Sequence, residues 1–588
     1  MCPQDDTPSR LLGNRELADL FQLIADYLSL DGESVYRVLA YQKAADVFRE
    51  YPTSVIQLAR DGCLQTLSGI GPAIEDKVRE YLGEGSIALL EKLRARYPEG
   101  VLDLVKLPGV GPKKAKALWT ALGIDGIASL AEAIRQGRVR EIPGMGARTE
   151  ENLLRALEAY EQRSESGDQR QLIGTVETLA DSLVTALRGM PGVERADYAG
   201  SLRRRRSTIR DLDLVVASTE ADAVMDAFER LPQVAAVNER GPTKLVARAH
   251  RGLSVDLRIV APASYGNLLQ HSTGSAEHNV ALRGYAQRHG LKVSEYGIEE
   301  TATGRVIVCG TEEEVYGALG LPWIPPELRE DRGELEAARA GTLPSLVTLG
   351  DIRGDLHVHS DWSDGRTTME KMALAAQEVG LEYVCFCDHS QSLGMGKGLT
   401  PSEVLRQVDE IRALDERLPG ITLLAGSEVD ILADGRLDFP DDILAQLDFV
   451  TASIHSGFQE SVERIMERLA AAAENPHIDA IGHPTGRILG RRDPYPVDIE
   501  RLVDLAAATN TLLEINASYH RLDLCAAHAR LATQHGATLV ICSDAHSPAD
   551  FQMLRFGVDE ARRGWVDADE VANCLPVEEF RRRLRVDG

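Results

Sequence analysis

The apolar positions fall into three regimes along the chain. Between Glu16 and Tyr27, Leu17, Leu20, Leu23, Ile24 and Tyr27 recur at helical spacing. That pattern predicts helices through about residue 165, where little alternates as a strand does. From about 169 to 330 the pattern mixes, and Asp211–Val216 and Ser254–Ile259 each predict a strand. Beyond 351, short apolar runs alternate with helical stretches and end near His359, His389, Glu428, His455, His483, Asn516 and His546. Seven strands separated by helices imply parallel βα units, for which a closed or nearly closed barrel is one solution. In such a barrel the chemistry sits at the C-terminal strand ends.

Breaks in the pattern suggest the domain limits. Ser164-Glu165-Ser166-Gly167-Asp168 is a polar turn or linker. Pro322, Pro325 and Pro326 end the mixed region, and the charged stretch 327–345 is a candidate interdomain linker. A chain of 588 residues exceeds what one core organises, which is about 300 residues. With 44% apolar and 27% charged residues, wholesale disorder is excluded. The net charge of −26 argues against a general nucleic-acid coat protein. Residues 92–163 nevertheless hold thirteen Lys/Arg against nine Asp/Glu, so positive charge is local. Eight scattered cysteines without a CxxC pair fit a reduced, cytosolic protein. Cys385 and Cys387 are read as buried strand residues. No apolar run reaches the roughly 18 residues of a membrane span, and MCPQDDTPSR lacks the features of a signal peptide.

Three segments share an apolar-Gly-apolar-Gly frame before a helical pattern: Leu67-Ser68-Gly69-Ile70-Gly71-Pro72, Leu107-Pro108-Gly109-Val110-Gly111-Pro112 and Ile142-Pro143-Gly144-Met145-Gly146-Ala147. Glycines bring backbone amides close to a phosphate, and the next helix N-terminus favours an anion. Such a contact needs no base edge, so it is independent of sequence. The third copy is alternatively a structural turn.

Asp211 and Asp213 lie two apart on a strand, so both carboxylates face one side, and Asp256 lies on a second strand. Three carboxylates on one sheet face call for cations, and two Mg2+ or Mn2+ ions there would serve displacement at phosphorus. Upstream, Gly200-Ser201 offers amides and a hydroxyl to phosphate oxygens, and Arg203–Arg206 offer bidentate charge. At the seven run ends stand nine further ligand types: His357, His359, Asp364, His389, Glu428, His455, His483, Asp544 and His546. Mixed imidazole and carboxylate donors suit zinc, manganese or iron, and nine suffice for two or three ions. Arg487, in Gly482-His483-Pro484-Thr485-Gly486-Arg487, is a candidate phosphate contact or a surface arginine.

The three glycine frames resemble helix-hairpin-helix motifs. Residues from about 15 to 320 resemble a family X DNA polymerase, of the nucleotidyltransferase fold that includes DNA polymerase beta. The resemblance implies that Asp211, Asp213 and Asp256 bind the two metals, and that Gly200, Ser201 and Arg204 hold a triphosphate. Thr273-Gly274-Ser275-Ala276-Glu277-His278-Asn279 is similar to the family's nucleotide pocket, with Gly274, Ser275, Asn279 and Arg283 at nucleotide or template positions. Gly69, Gly71, Gly109 and Gly111 would then contact DNA. The stretch from Tyr36 to Ala45 resembles the family's lyase domain. Lys77 matches its Schiff-base lysine, with a phosphate-binding lysine as the alternative. The chain departs from the family at Arg206, at Arg210 and at His271-Ser272, which implies weak or manganese-dependent synthesis.

Residues 351–588 resemble a PHP (polymerase and histidinol phosphatase) domain with all nine usual ligand positions filled. The fold implied is multidomain, α+β and α/β. It has an all-α lyase-like region over 1–90, a fingers-like region over 91–165 and a nucleotidyltransferase palm over 166–262. A thumb-like domain over 263–326, a linker over 327–350 and a distorted (β/α)7 PHP barrel follow. The implied partners are gapped or primer-template DNA and deoxynucleoside triphosphates, with no membrane, and the implied state is a cytoplasmic monomer. The implied function is gap filling in DNA repair, with a 3′-5′ exonuclease and an abasic-site endonuclease in the barrel. The alternative reading is a nuclease whose polymerase half is a weak or inactive DNA clamp.

Overall fold

A computed structural model describes residues 7–584 except 51–54, 61, 68–69, 99, 106, 108–109, 147, 156, 158–169, 250–251 and 393–397. For 7–16, 35–36, 46, 49–50, 57 and 66 it describes the backbone alone. The chain divides into two units, residues 1–169 and 170–588.

The described part of the first unit is helical. Helices α1 (Thr7–Asp31) and α2 (Val35–Glu50) bury Leu17, Phe21, Ile24 and Leu28 against Tyr41, Ala44 and Phe48. This is the apolar face that the spacing from Leu17 to Tyr27 predicts. Helices α3 (Pro72–Glu84) and α4 (Pro112–Leu122) each begin behind a glycine, Gly71 or Gly111, with proline at the first helical position. Proline there loses no hydrogen bond, because the first amides of a helix have no partner in the helix. The middle residue of each frame, Ile70, Val110 or Met145, is buried and pins the turn to the core.

The second unit begins with α5 (Ile173–Arg188) lying on a five-stranded sheet. Its strands are β1 (Val193–Tyr198), β2 (Asp211–Ser218), β3 (Val234–Arg240), β4 (Lys244–Ala249) and β5 (Ser254–Val260). Their order is β1-β2-β5-β4-β3, and β2 pairs with β5 in parallel. Helices α6 (Tyr265–Thr273) and α7 (Ala276–Arg288) follow, with a three-stranded antiparallel sheet of β6 (Leu291–Ser294), β7 (Gly297–Glu300) and β8 (Val306–Ile307).

The stretch 327–350, expected as a linker, is instead packed. Arg329 is fully buried and pairs with Glu312. Glu334 is buried with its carboxylate 2.5 Å from His278 Nδ1. These two charges face partners inside the fold rather than water, which composition alone does not reveal.

Seven parallel strands follow, each hydrogen-bonded to its neighbour in chain order: β9 (Gly354–Val358), β10 (Tyr383–Phe386), β11 (Thr422–Asp430), β12 (Phe449–Ser453), β13 (Ala480–Ile481), β14 (Leu512–Asn516) and β15 (Leu539–Cys542). The amide of His359 donates to Ala545 O at 2.8 Å and brings the first and last strands together in a nearly closed barrel. These strands are buried along almost their whole length, as parallel strands covered on both faces must be. Cys385 and Cys387 sit in this core at 0% exposure. No single helix among the described residues is long and apolar enough to cross a membrane.

The five-stranded sheet and the barrel share a core. Leu522 and Phe556 of the barrel are buried with Ile173, Val176 and Leu212. Gly174 on α5 lies against the ring of Tyr519, where a Cβ would come within 2.6 Å of Cδ1. Beside this contact, Arg205 bonds Glu177 Oε1 at 2.7 Å and Asp559 Oδ2 at 2.7 Å, the latter on helix α8 (Leu554–Arg563). Burial alone would lower the pKa of Arg205, but the two carboxylates overcome this and hold the guanidinium charged. Removing one partner of a buried ion pair leaves an uncompensated charge, at a cost of about 3–5 kcal/mol. Arg205→Ala is therefore expected to destabilise the second unit by about that amount in urea unfolding, whereas a loss under about 1 kcal/mol would mean the pair behaves as a surface bridge.

Candidate active sites

The first site lies where β2 and β5 run side by side. Asp213 and Asp256 are register partners, and Asp211 stands two residues before Asp213. Burial, then the charges of Asp211 and Asp256, push the Asp213 carboxyl up to about 7. Gly200 turns with φ +60° directly above it, and a Cβ there would lie 1.9 Å from Asp213 Oδ2. Glycine is required at this position by both conformation and space. Ser201 Oγ and Asp256 Oδ1 are buried with no hydrogen-bond partner. Orphaned oxygens beside crowded carboxylates fit a divalent cation and a phosphate. Lys244 Nζ stands 3.3 Å from Asp256, and the exposed Arg210 lies 3.1 Å from Asp211.

The four arginines after Ser201 fan out to different partners. Arg203 makes a two-pronged contact with Glu312 and reaches Thr273 Oγ1 at 2.7 Å. Arg204 bonds Glu330 at 2.8 Å and donates to Thr273 O at 2.8 Å. Arg206 bonds the other oxygen of Glu330 at 3.0 Å, and Arg205 turns to the barrel. The turn between α6 and α7 thus meets the Gly200 loop, joining two segments some seventy residues apart. Within that turn Ser275 caps α7 by accepting from His278 N, and Asn279 Nδ2 donates to His271 O at 2.8 Å and Gly274 O at 3.1 Å. Arg283 Nε donates to Asn279 O at 3.1 Å. Asn279 therefore braces the turn, and burial lowers the His271 pKa beside it.

The second site is the mouth of the barrel, where all nine expected ligands converge. Glu428 is the hub, 2.8 Å from His483 Nε2, 2.9 Å from His389 Nδ1, 3.3 Å from His455 Nε2 and 3.5 Å from His357 Nε2. Asp544 stands 3.2 Å from His359 and 3.8 Å from His357. Asp364 stands 3.2 Å from His546 and 3.4 Å from His389. The donor atoms form three overlapping groups close enough to hold an ion each: His359, Asp364, His389 and His546; His357, His359 and Asp544; His389, Glu428 and His455. His359 Nδ1 and His483 Nδ1 are buried with no hydrogen-bond partner. Buried imidazole nitrogens lacking a partner, amid carboxylates, fit metal ligation. His483 and Asp544 also take positive φ, +27° and +56°, a strained backbone concentrated at this mouth.

Burial and neighbouring charges pull against each other throughout this cluster. Burial would raise the pKa of Glu428, but His389, His455 and His357 hold it well below the usual range. Burial would lower His357, but Glu514, Glu428 and Asp544 hold it well above. His455 and His546 are lifted to about 9 against burial by neighbouring carboxylates, while burial and Arg521 press His483 down to about 3.

A ring of supporting groups is absent from the sequence reading. Glu514 Oε1 lies 2.8 Å from His357 Nδ1, and its other oxygen accepts from His483 N at 2.5 Å. Asp430 Oδ1 lies 2.5 Å from His455 Nδ1. Asp388 accepts from Ser360 and Ser363 and holds the loop carrying Asp364. Such groups turn the free ring nitrogen toward a metal. The signal that would find them is a carboxylate one or two positions from a ligand, as Asp388 is from His389 and Asp430 from Glu428. Glu514 has no such neighbour. Arg487 donates both to Arg521 O and to Leu522 O, so it holds backbone rather than reaching the ligands.

In the first unit, Gly69 and Gly109 lie outside the described residues. Gly71 and Gly111 face open space, where an added Cβ meets nothing within 4 Å. Their φ values of −94° and −85° suit any residue. Nothing described within the fold demands glycine there. Lys77 pairs with Glu80 at 2.6 Å on α3.

Comparison with known proteins locates four families along this architecture. A helix-hairpin-helix domain matches residues 12–87, and a SAM-like helix-hairpin-helix tandem matches 101–159. The DNA polymerase beta thumb matches 268–330, and the PHP domain matches 355–518. A probable phosphatase of Caldanaerobacter subterraneus is 32% identical over 220 residues, 36% of this chain and 80% of its own. A probable phosphatase of Thermoanaerobacter pseudethanolicus is 30% identical over 230 residues, 37% of this chain and 89% of its own. The DNA polymerase/3′-5′ exonuclease PolX of Bacillus subtilis is 38% identical over 575 residues, which is 97% of this chain and 99% of that protein. Identity of that extent along both chains makes this chain a member of the PolX family.

Proposed function

We propose that this protein is a DNA polymerase that fills short gaps and carries a 3′-5′ exonuclease in its barrel. The observation that supports it best is the presence of two separate acidic sites in one chain, Asp211, Asp213 and Asp256 on one sheet and the nine barrel residues around Glu428 on the other. Divalent ions held at these sites would supply positive charge to a phosphodiester and acidify water, Mg2+ or Mn2+ at the first and two or three Mn2+ or Zn2+ at the second. The chain's own part at the first site is to hold and orient. Gly200 and Ser201 cradle phosphate oxygens above the carboxylates, and Arg204 leaves Glu330 to meet a triphosphate. Asp256 sits nearest the primer hydroxyl. Asn279 and Arg283 set the nucleotide's pocket through the α6–α7 turn. At the second site Glu514 and Asp430 fix which nitrogen of His357 and His455 faces the ligand cluster. Cleavage at an abasic site would use the same cluster.

The reading extends to the domain plan, with helical modules over 1–90 and 91–165, a palm over 166–262 and a thumb over 263–326. The open faces of Gly71 and Gly111 favour DNA-backbone contact, because a phosphate can approach amides that no side chain of the fold covers. Gly111→Val is accordingly expected to weaken binding of a gapped duplex by about tenfold while moving stability by less than about 1 kcal/mol. Fluorescence anisotropy at fixed salt measures the first, and unchanged affinity would place the DNA elsewhere.

One set of contacts favours the alternative reading of a nuclease with a polymerase-like clamp: Lys244 and Arg210 already lie beside the acids, and Arg204 is held by Glu330. Variants separate the two. Asp211→Ala should abolish primer extension and leave shortening of the labelled strand. His359→Ala should do the reverse. Extension absent from the parent protein in manganese would leave the clamp, and extension that survives Asp211→Ala would take synthesis away from the three aspartates.

A further inference from the structure

The barrel mouth carries a guanidinium that the ligand cluster does not employ. Arg521 lies in the loop after β14, with Nε 3.7 Å from Asp544 Oδ2. Its Nη1 is buried with no hydrogen-bond partner. A guanidinium is always charged and carries five donors, so a buried donor left unmatched is costly unless something occupies it. Two other arginines on this side of the mouth are already committed. Arg487 holds the carbonyls of Arg521 and Leu522. Arg492 donates to Gly486 O at 2.8 Å and covers the Phe458 ring at 4.2 Å. Arg521 retains a free donor beside a candidate metal ligand.

Its loop is fixed rather than loose. Tyr519 packs on Gly174, Leu522 is buried in the core shared with the five-stranded sheet, and His520 O accepts from Leu489 N at 2.7 Å. With its backbone held on both sides, Arg521 is aimed by the scaffold at Asp544, which itself stands between His357 and His359.

Resting on the nuclease reading above, we infer that Arg521 is a catalytic residue of the barrel, binding the non-bridging oxygens of the scissile phosphodiester opposite the metal-ligand cluster. Water adds to phosphorus, the P–O3′ bond breaks, and O3′ leaves with a proton while the proton lost by water passes to solvent. Arg521 donates to the phosphoryl oxygens throughout, and its charge counts most where negative charge builds up.

The test uses the full chain loaded with Mn2+, with Arg521→Ala and Arg521→Lys. Three quantities are measured: cleavage of a labelled oligonucleotide, bound metal per chain and binding of inorganic phosphate. Arg521→Ala is expected to slow cleavage by on the order of a hundredfold and to weaken phosphate by about tenfold, with metal content unchanged. Arg521→Lys should recover only part, because an ammonium cannot make the two-pronged contact. Free guanidinium should restore some cleavage to the alanine variant. Cleavage and phosphate affinity both within about threefold of the parent would overturn the assignment, as would a loss matched by loss of metal. If the parent protein binds phosphate through Arg521 yet leaves DNA intact, the nuclease reading fails while the arginine's phosphate contact stands.

Discussion

Carboxylates folded out of water must have positive charge beside them, and both candidate sites are arranged around that constraint. At the first, three aspartates share one sheet face, and Asp213 is driven up to about 7 by burial and by its neighbours. At the second, Glu428 is fully surrounded, and four imidazoles lie within 3.5 Å of it. Around it, neighbouring carboxylates lift His455 and His546 against burial, while burial and Arg521 press His483 down.

The same constraint explains the architecture around the sites. Strand ends that carry ligands are buried, so their second atoms need partners, and Glu514 and Asp430 supply them, while Asp388 holds the Ser360–Ser363 turn. The arginine run after Ser201 spreads its charges over Glu312, Glu330, Glu177 and Asp559 rather than leaving them in one place. One of these partners belongs to the barrel. The loop over the aspartates, the α6–α7 turn and helix α8 are therefore tied together through adjacent residues of a single tetrapeptide.

Much of this was legible in the sequence. The two-residue spacing of Asp211 and Asp213 forces a shared face, and seven apolar runs, six of them ending in ligand residues, describe the barrel mouth. The Leu17–Tyr27 spacing gives the buried face of α1. What sequence did not show depends on distance along the chain. Glu514 meets His357 across 157 residues, and Arg205 meets Asp559 across 354. No local pattern encodes either pair. The stretch 327–350 reads as a linker for a related reason, since Arg329 and Glu334 within it find their buried partners in Glu312 and His278. Arg487 and Arg521 were indistinguishable by composition, and only the fold shows which holds backbone and which faces Asp544.

The central claim is that both acid clusters are built to hold divalent cations. Anomalous diffraction at the manganese edge, from crystals of the full chain grown with Mn2+, tests it directly. The account predicts peaks among Asp211, Asp213 and Asp256 and two or three more among the nine barrel ligands. Peaks at the barrel with none at the aspartates would contradict it, and a barrel without metal would contradict it more deeply.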